Sequence, residues 1–141
     1  MENNQEPIYQ QFHVLRVRSH FDAAHRLDGY NGPCANLHGH RWEVLCSFAV
    51  GGSDSVGIAV DFKELKKLLA EVLPDHLFLN DWLVEKNWTG NPTAETLVRV
   101  IAVEIERAIL NKFKNADVRL SRIELWESPD CSVVLARPRF E

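Results

Sequence analysis

Hydrophobic and polar positions change period along this chain, and the changes mark its elements. Residues 12–22 (FHVLRVRSHFD) alternate, with Leu15, Val17 and Phe21 on one side and Arg16, Arg18 and His20 on the other. That two-residue period predicts a half-buried strand. A second alternating run begins at His38, where Trp42, Val44, Cys46 and Phe48 share one face and Arg41, Glu43 and Ser47 the other, and it ends at the turn Gly51-Gly52. Between the two, residues 28–36 (DGYNGPCAN) are dense in Gly, Pro, Asn and Asp and read as a loop.

The period then lengthens to that of a helix. Phe62, Leu65, Leu68, Leu69 and Val72 recur at helical spacing, and Asp61 three residues before Glu64 is a capping-box-like start, so a helix is expected over residues 62–73. Pro74 stops it, and residues 74–91 read as an irregular connection. A second helix opens at Thr93, a plausible N-cap after Pro92, and carries the stripe Leu97, Val100, Ile101, Ile105 and Ala108 to about Leu110. VRLSRIELWES and CSVVLAR read as two strands of a hairpin turning at Pro129-Asp130. The order strand, strand, helix, helix, strand, strand predicts an α+β fold, an antiparallel sheet with both helices on one face.

Composition narrows the function classes. The 141 residues suit one domain, preceded by a polar extension over residues 1–11, and are enough for a real core without metal or disulfides. Any metal is therefore expected to serve chemistry. Sixteen Lys and Arg against 20 Asp and Glu, with the basic residues scattered, argue against nucleic acid as a partner. No apolar stretch approaches the roughly 20 residues of a membrane span, and MENNQEPIYQ does not resemble a secretion signal. A cytoplasmic protein is expected, and three widely spaced cysteines suit reduced thiols.

The candidate chemistry sits in His25, His38 and His40, spaced His-x12-His-Gly-His, with Cys34 four residues before the middle histidine. Alternate strand positions share a face, so His38 and His40 can reach one ion, and pairing of the first two strands brings His25 alongside. Three imidazoles leave a tetrahedral Zn2+ with one open position, as a catalytic site requires. Cys34 is a small loop residue, a fourth ligand that closes the site, or a thiolate beside the metal able to serve as general base or nucleophile. Cys46 faces the core. Asp75-His76 is either a solvated loop pair or a carboxylate fixing an imidazole for proton relay. Glu127 is either an exposed strand end or an acceptor for a paired N–H edge.

Six blocks in one order, FDAAHRL, CANLHGH, DFKELK, PDHLFLND, NPTAETL and ELWES, make residues 13–137 resemble the family of the 6-pyruvoyl- and 6-carboxy-tetrahydropterin synthases. The resemblance implies zinc on His25, His38 and His40, Cys34 as catalytic base, Asp75 and His76 completing a proton-transfer set, and Glu127 anchoring the pterin. It implies the tunnelling fold, a four-stranded antiparallel sheet with two helices on one side, whose subunits assemble into barrels as a homohexamer of two trimers. The three-residue gap between Cys34 and His38 is typical of the bacterial carboxy branch. That branch turns 7,8-dihydroneopterin triphosphate into 6-carboxy-5,6,7,8-tetrahydropterin, acetaldehyde and triphosphate in queuosine (7-deazapurine) biosynthesis. Two alternatives stand beside it: the pyruvoyl product from the same substrate, and a non-catalytic zinc-stabilised module that holds a pterin.

Overall fold

The computed structural model describes residues 13–114 and 116–138, so the polar extension lies outside it. Its spine is the pair β1 (His13–His25) and β2 (His38–Val50), antiparallel and in register from His13 opposite Val50 to His25 opposite His38. β2 pairs on its other side with β4 (Val118–Ser128), which turns back into β5 (Cys131–Ala136). These are the four antiparallel strands the alternation predicts, with the expected hairpin turn at Pro129-Asp130.

Two elements add to the expectation, both in the connection read as irregular. β3 (Leu77–Phe78) lies parallel to β1 opposite Ala23 and Ala24, giving the sheet order β3-β1-β2-β4-β5. α2 (Leu79–Glu85) follows at once and buries Leu79, Trp82 and Leu83. A two-residue strand and a two-turn helix are too short for a periodic signal to develop, and the burial of tertiary packing stabilises them instead.

The long helices are α1 (Phe62–Val72) and α3 (Ala94–Lys112). Both begin at the predicted caps: the Asp61 carboxylate accepts from the Lys63 N–H, and the Thr93 hydroxyl accepts from the Thr96 N–H. Such caps contribute about 1 kcal/mol each. The apolar face of each helix contributes more. Leu65, Leu68 and Leu69 of α1 and Leu97, Ile101 and Ile105 of α3 are fully buried in one core with Phe21, Trp42, Val44 and Phe48 of the sheet. Removing one such leucine side chain costs about 2–5 kcal/mol. Phe62 departs from the predicted stripe, half exposed at the first turn of α1, where the helix has not yet met the sheet. No described helix is long and apolar enough to cross a membrane.

Candidate metal and proton-transfer site

The register of β1 and β2 builds the histidine cluster. His25 sits opposite His38, and His40 sits opposite Ala23 on the same face, directly beyond the buried Trp42. The three ring centroids lie 4.5, 5.1 and 4.9 Å apart. Gly39 between the two β2 histidines leaves that stretch of backbone uncrowded.

Two of the rings are locked from behind. His25 Nδ1 meets the Pro92 carbonyl at 2.8 Å, and His38 Nδ1 meets the Asn36 carbonyl at 2.7 Å. A carbonyl only accepts, so each Nδ1 carries the proton and each Nε2 presents a bare lone pair. All three Nε2 atoms are buried without a hydrogen-bond partner. Burial holds His25 and His40 below the ordinary pKa of 6.5, favouring the neutral imidazole that a metal needs. Three orphaned, convergent Nε2 atoms form a donor set suited to Zn2+.

Glu127 joins this cluster. Its Oε1 lies 3.3 Å from His40 Nε2, without the alignment of a hydrogen bond, and the four ligand atoms all fall within 4.8 Å of one another. It arrives there by alternation: Ile123 pairs with Cys46 and Leu125 with Val44, so the next residue but one on β4 falls on the face that carries Trp42 and His40. The expected role as a ring anchor put Glu127 beside the histidines rather than among them, although the two-residue period of Ile123, Leu125 and Glu127 already sets it on their face.

Asp75 and His76 form a second cluster on the outer edge of β1. His76 Nδ1 lies 2.9 Å from Asp75 Oδ2. Both are tied to Asp22: its N–H donates to Asp75 Oδ1 at 2.9 Å, and its carbonyl accepts the His76 N–H at 2.7 Å. The Asp22 N–H, and then the His76 contact, hold the Asp75 carboxyl below its ordinary value. His76 takes a left-handed φ of 57°, a strained conformation for a residue with a Cβ and one that recurs at functional sites. His40 and His76 line one surface depression of about 530 Å3 together with Asp22 and Arg41.

Asp22 and Arg41 are the pair that sequence reasoning missed. Arg41 Nε and one terminal nitrogen donate to the two Asp22 carboxylate oxygens at 3.0 and 3.2 Å. The signal was present, because the register that sets His25 opposite His38 also sets Asp22 opposite Arg41. Cys34 occupies a short 3-10 turn, Pro33–Ala35, half-buried and in neither cluster. Within the described residues it is thus not a fourth member of the histidine set, and it does not form a common cluster with Asp75 and His76. Cys46 lies in the core as expected, its thiol pushed up to about 12 by burial.

Comparison with known proteins agrees with this architecture. The family profile of 6-pyruvoyl tetrahydropterin synthase matches residues 14–138. A 6-carboxy-5,6,7,8-tetrahydropterin synthase of Haemophilus influenzae is 32% identical over 124 residues, covering 77% of this chain and 88% of that protein. A dihydroneopterin monophosphate aldolase of Pyrococcus furiosus is 31% identical over 122 residues, covering 84% and 92%. The structure of Caenorhabditis elegans 6-pyruvoyl tetrahydropterin synthase superposes with a TM-score of 0.71 at 22% identity, covering 89% of this chain and 96% of that one. With the tunnelling fold and a pterin-synthase relative spanning most of its length, the chain belongs to the 6-pyruvoyl tetrahydropterin synthase family and is an enzyme, a lyase of that family.

Proposed function

We propose that this chain is a zinc enzyme that converts 7,8-dihydroneopterin triphosphate and water to 6-carboxy-5,6,7,8-tetrahydropterin, acetaldehyde and triphosphate, in the synthesis of 7-deazapurines such as queuosine. The observation that carries the reading is the convergence of three buried, unpartnered Nε2 atoms on one point. The carboxy product is supported by the name of the Haemophilus influenzae relative and by the three residues between Cys34 and His38.

His25, His38 and His40 hold the metal. When bound, zinc supplies a Lewis acid that acidifies the O–H and C–H bonds of the substrate side chain. Cys34 takes a side-chain proton as thiolate, and His76, oriented by Asp75, delivers a proton to the ring. Glu127 accepts the paired N–H edge of the pterin and fixes the side chain beside the metal.

Assembly is part of the proposal. Among the described residues β5 has no strand on its outer side and β3 covers β1 only at Ala23 and Ala24, so the described sheet ends in two open edges. Open edges on one sheet favour head-to-tail closure into a ring of copies, and a homohexamer of two trimers is the arrangement we propose for this single cytoplasmic domain.

The position of Glu127 favours a second reading, a closed His3Glu metal site whose role is to stabilise the fold. One experiment separates the readings. Purified protein is incubated with 7,8-dihydroneopterin triphosphate, and metal content and product masses are read from the same sample. Zinc, 6-carboxy-tetrahydropterin and acetaldehyde are expected. A pyruvoyl product without acetaldehyde moves the chain to the other branch, and zinc with no consumption of substrate favours the closed site. Glu127→Gln then reports the glutamate's role: retained zinc with weaker pterin binding supports the anchor, and lost zinc makes it a ligand.

A further inference from the structure

The segment that leaves the metal cluster, Arg26 to Asp28, has no secondary structure, yet each of its three N–H groups is bonded. Asn80 of α2 accepts from the Arg26 N–H at 3.0 Å and donates to the Arg26 carbonyl at 3.0 Å. Asn91 repeats the pattern on Asp28, accepting from its N–H at 2.9 Å and donating to its carbonyl at 2.8 Å. A side-chain amide carries one donor face and one acceptor, so each asparagine closes both polar groups of one residue. Between the two clamped residues, the Leu27 N–H donates to the carbonyl of Cys34 at 2.9 Å.

We propose that Asn80 and Asn91 are positioning residues that set the place of the Cys34 thiol. They fix residues 26 and 28, and the Leu27 N–H held between them carries the turn that presents Cys34. This rests on the reading of Cys34 as the base. Among the described residues the Cys34 turn is otherwise held by short-range bonds, from Ala35 N–H to the Gly32 carbonyl, from Asn36 N–H to the Pro33 carbonyl, and from His38 Nδ1 to the Asn36 carbonyl. The first two shape the turn and the third fixes its end at β2, so the clamp is the tie on the side of β1. The clamp also ties the thiol to the metal cluster, because residue 26 follows His25 and Asn91 precedes Pro92, whose carbonyl holds the His25 ring. Both ends of the proposed chemistry are thus referred to the same two amides.

The test uses the zinc-loaded full chain carrying Cys131→Ser. Cys46 is buried, so Cys34 is then the accessible thiol, and its rate of alkylation by iodoacetamide reports its setting without turnover. Asn80→Ala and Asn91→Ala are each expected to alkylate faster at Cys34. Each is also expected to lower kcat on the order of 10- to 100-fold with KM and zinc stoichiometry unchanged, the penalty of a base displaced by about an ångström. Asn80→Asp and Asn91→Asp keep the size and the acceptor but lose the donor, and take the place of an alanine variant that does not fold. Alkylation and kcat equal to those of the parent overturn the clamp, as does a loss of kcat that follows loss of zinc. If Cys34→Ala retains full turnover, or if the parent turns over neither pterin product, the activity reading fails separately. Alkylation alone then decides: a faster rate keeps the clamp, and an equal rate removes it.

Discussion

The histidine cluster and the Asp75–His76 pair are held in opposite ways. His25 is 1% exposed, its ring locked by a carbonyl behind it and its ladder position set by a thirteen-residue strand pair. The His76 side chain is 79% exposed on a left-handed residue, tied to the sheet by the backbone of Asp22 and by the two-residue β3 that follows. A buried cluster on paired strands is preorganised and keeps its geometry without help from outside. An exposed dyad at a sheet edge trades protons with water until something covers it. The histidine end of the proposed site is therefore finished within one chain, and the Asp75–His76 end lies open at the edge of β1.

Removal of a metal ligand should break the buried half most severely. His38→Ala is expected to lose zinc and with it all detectable turnover, since even disturbing the shell behind a ligand costs about 10- to 100-fold. Metal analysis of the purified variant beside its turnover checks this. Near-stoichiometric zinc in His38→Ala would take the histidine out of the ligand set. Cys34→Ala comes next, expected to keep zinc and to lose about 10²- to 10⁴-fold in turnover, the range of a general base. Loss of zinc from this variant would make the thiol a ligand.

The exposed half should separate stability from function. His76→Gly relieves a left-handed φ of 57°, so the variant is expected to melt at or above the temperature of the parent, with a gain of about 1 kcal/mol. Turnover is expected to fall by about 10²-fold, because the proton donor is gone. Thermal unfolding and single-substrate kinetics on one preparation read both. Unchanged turnover would leave the dyad a structural turn, and a lower melting temperature would show that the ring itself packs.

How much of this was legible in the sequence follows the same division. Alternation gave away β1 and β2, and their pairing placed His25 against His38 before any coordinates. Long amphipathic helices were equally plain, each with its cap at the predicted residue. What stayed hidden depends on contacts without a period. α2 and β3 are short, and the Asn80 and Asn91 clamps join residues 54 and 63 positions apart through side-chain amides. Asp22–Arg41 lies between these cases, implied by the register of β1 and β2 and overlooked because both residues read as solvated.

That pair supplies the smallest effect and the finest test of the contrast. Arg41 holds the Asp22 carboxyl below its ordinary 3.8 through a direct hydrogen bond, and the Asp22 N–H does the same for Asp75. A depressed carboxyl contributes stability that is fully present above its unfolded pKa and is lost as pH falls through the lower folded value. Arg41→Gln should therefore melt slightly below the parent at neutral pH, and the gap should close as pH falls below about 3.8. About 1 M salt at neutral pH should shrink it too, since both side chains are exposed and such pairs are screened. Zinc content should not change, because the histidines owe their placement to the strand ladder and to the carbonyls of Pro92 and Asn36. Melting curves across pH and salt with metal analysis at each point make the measurement. A gap that persists at low pH assigns Arg41 a packing role through its stem, and a loss of zinc would show that the exposed edge and the buried cluster are one structure rather than two.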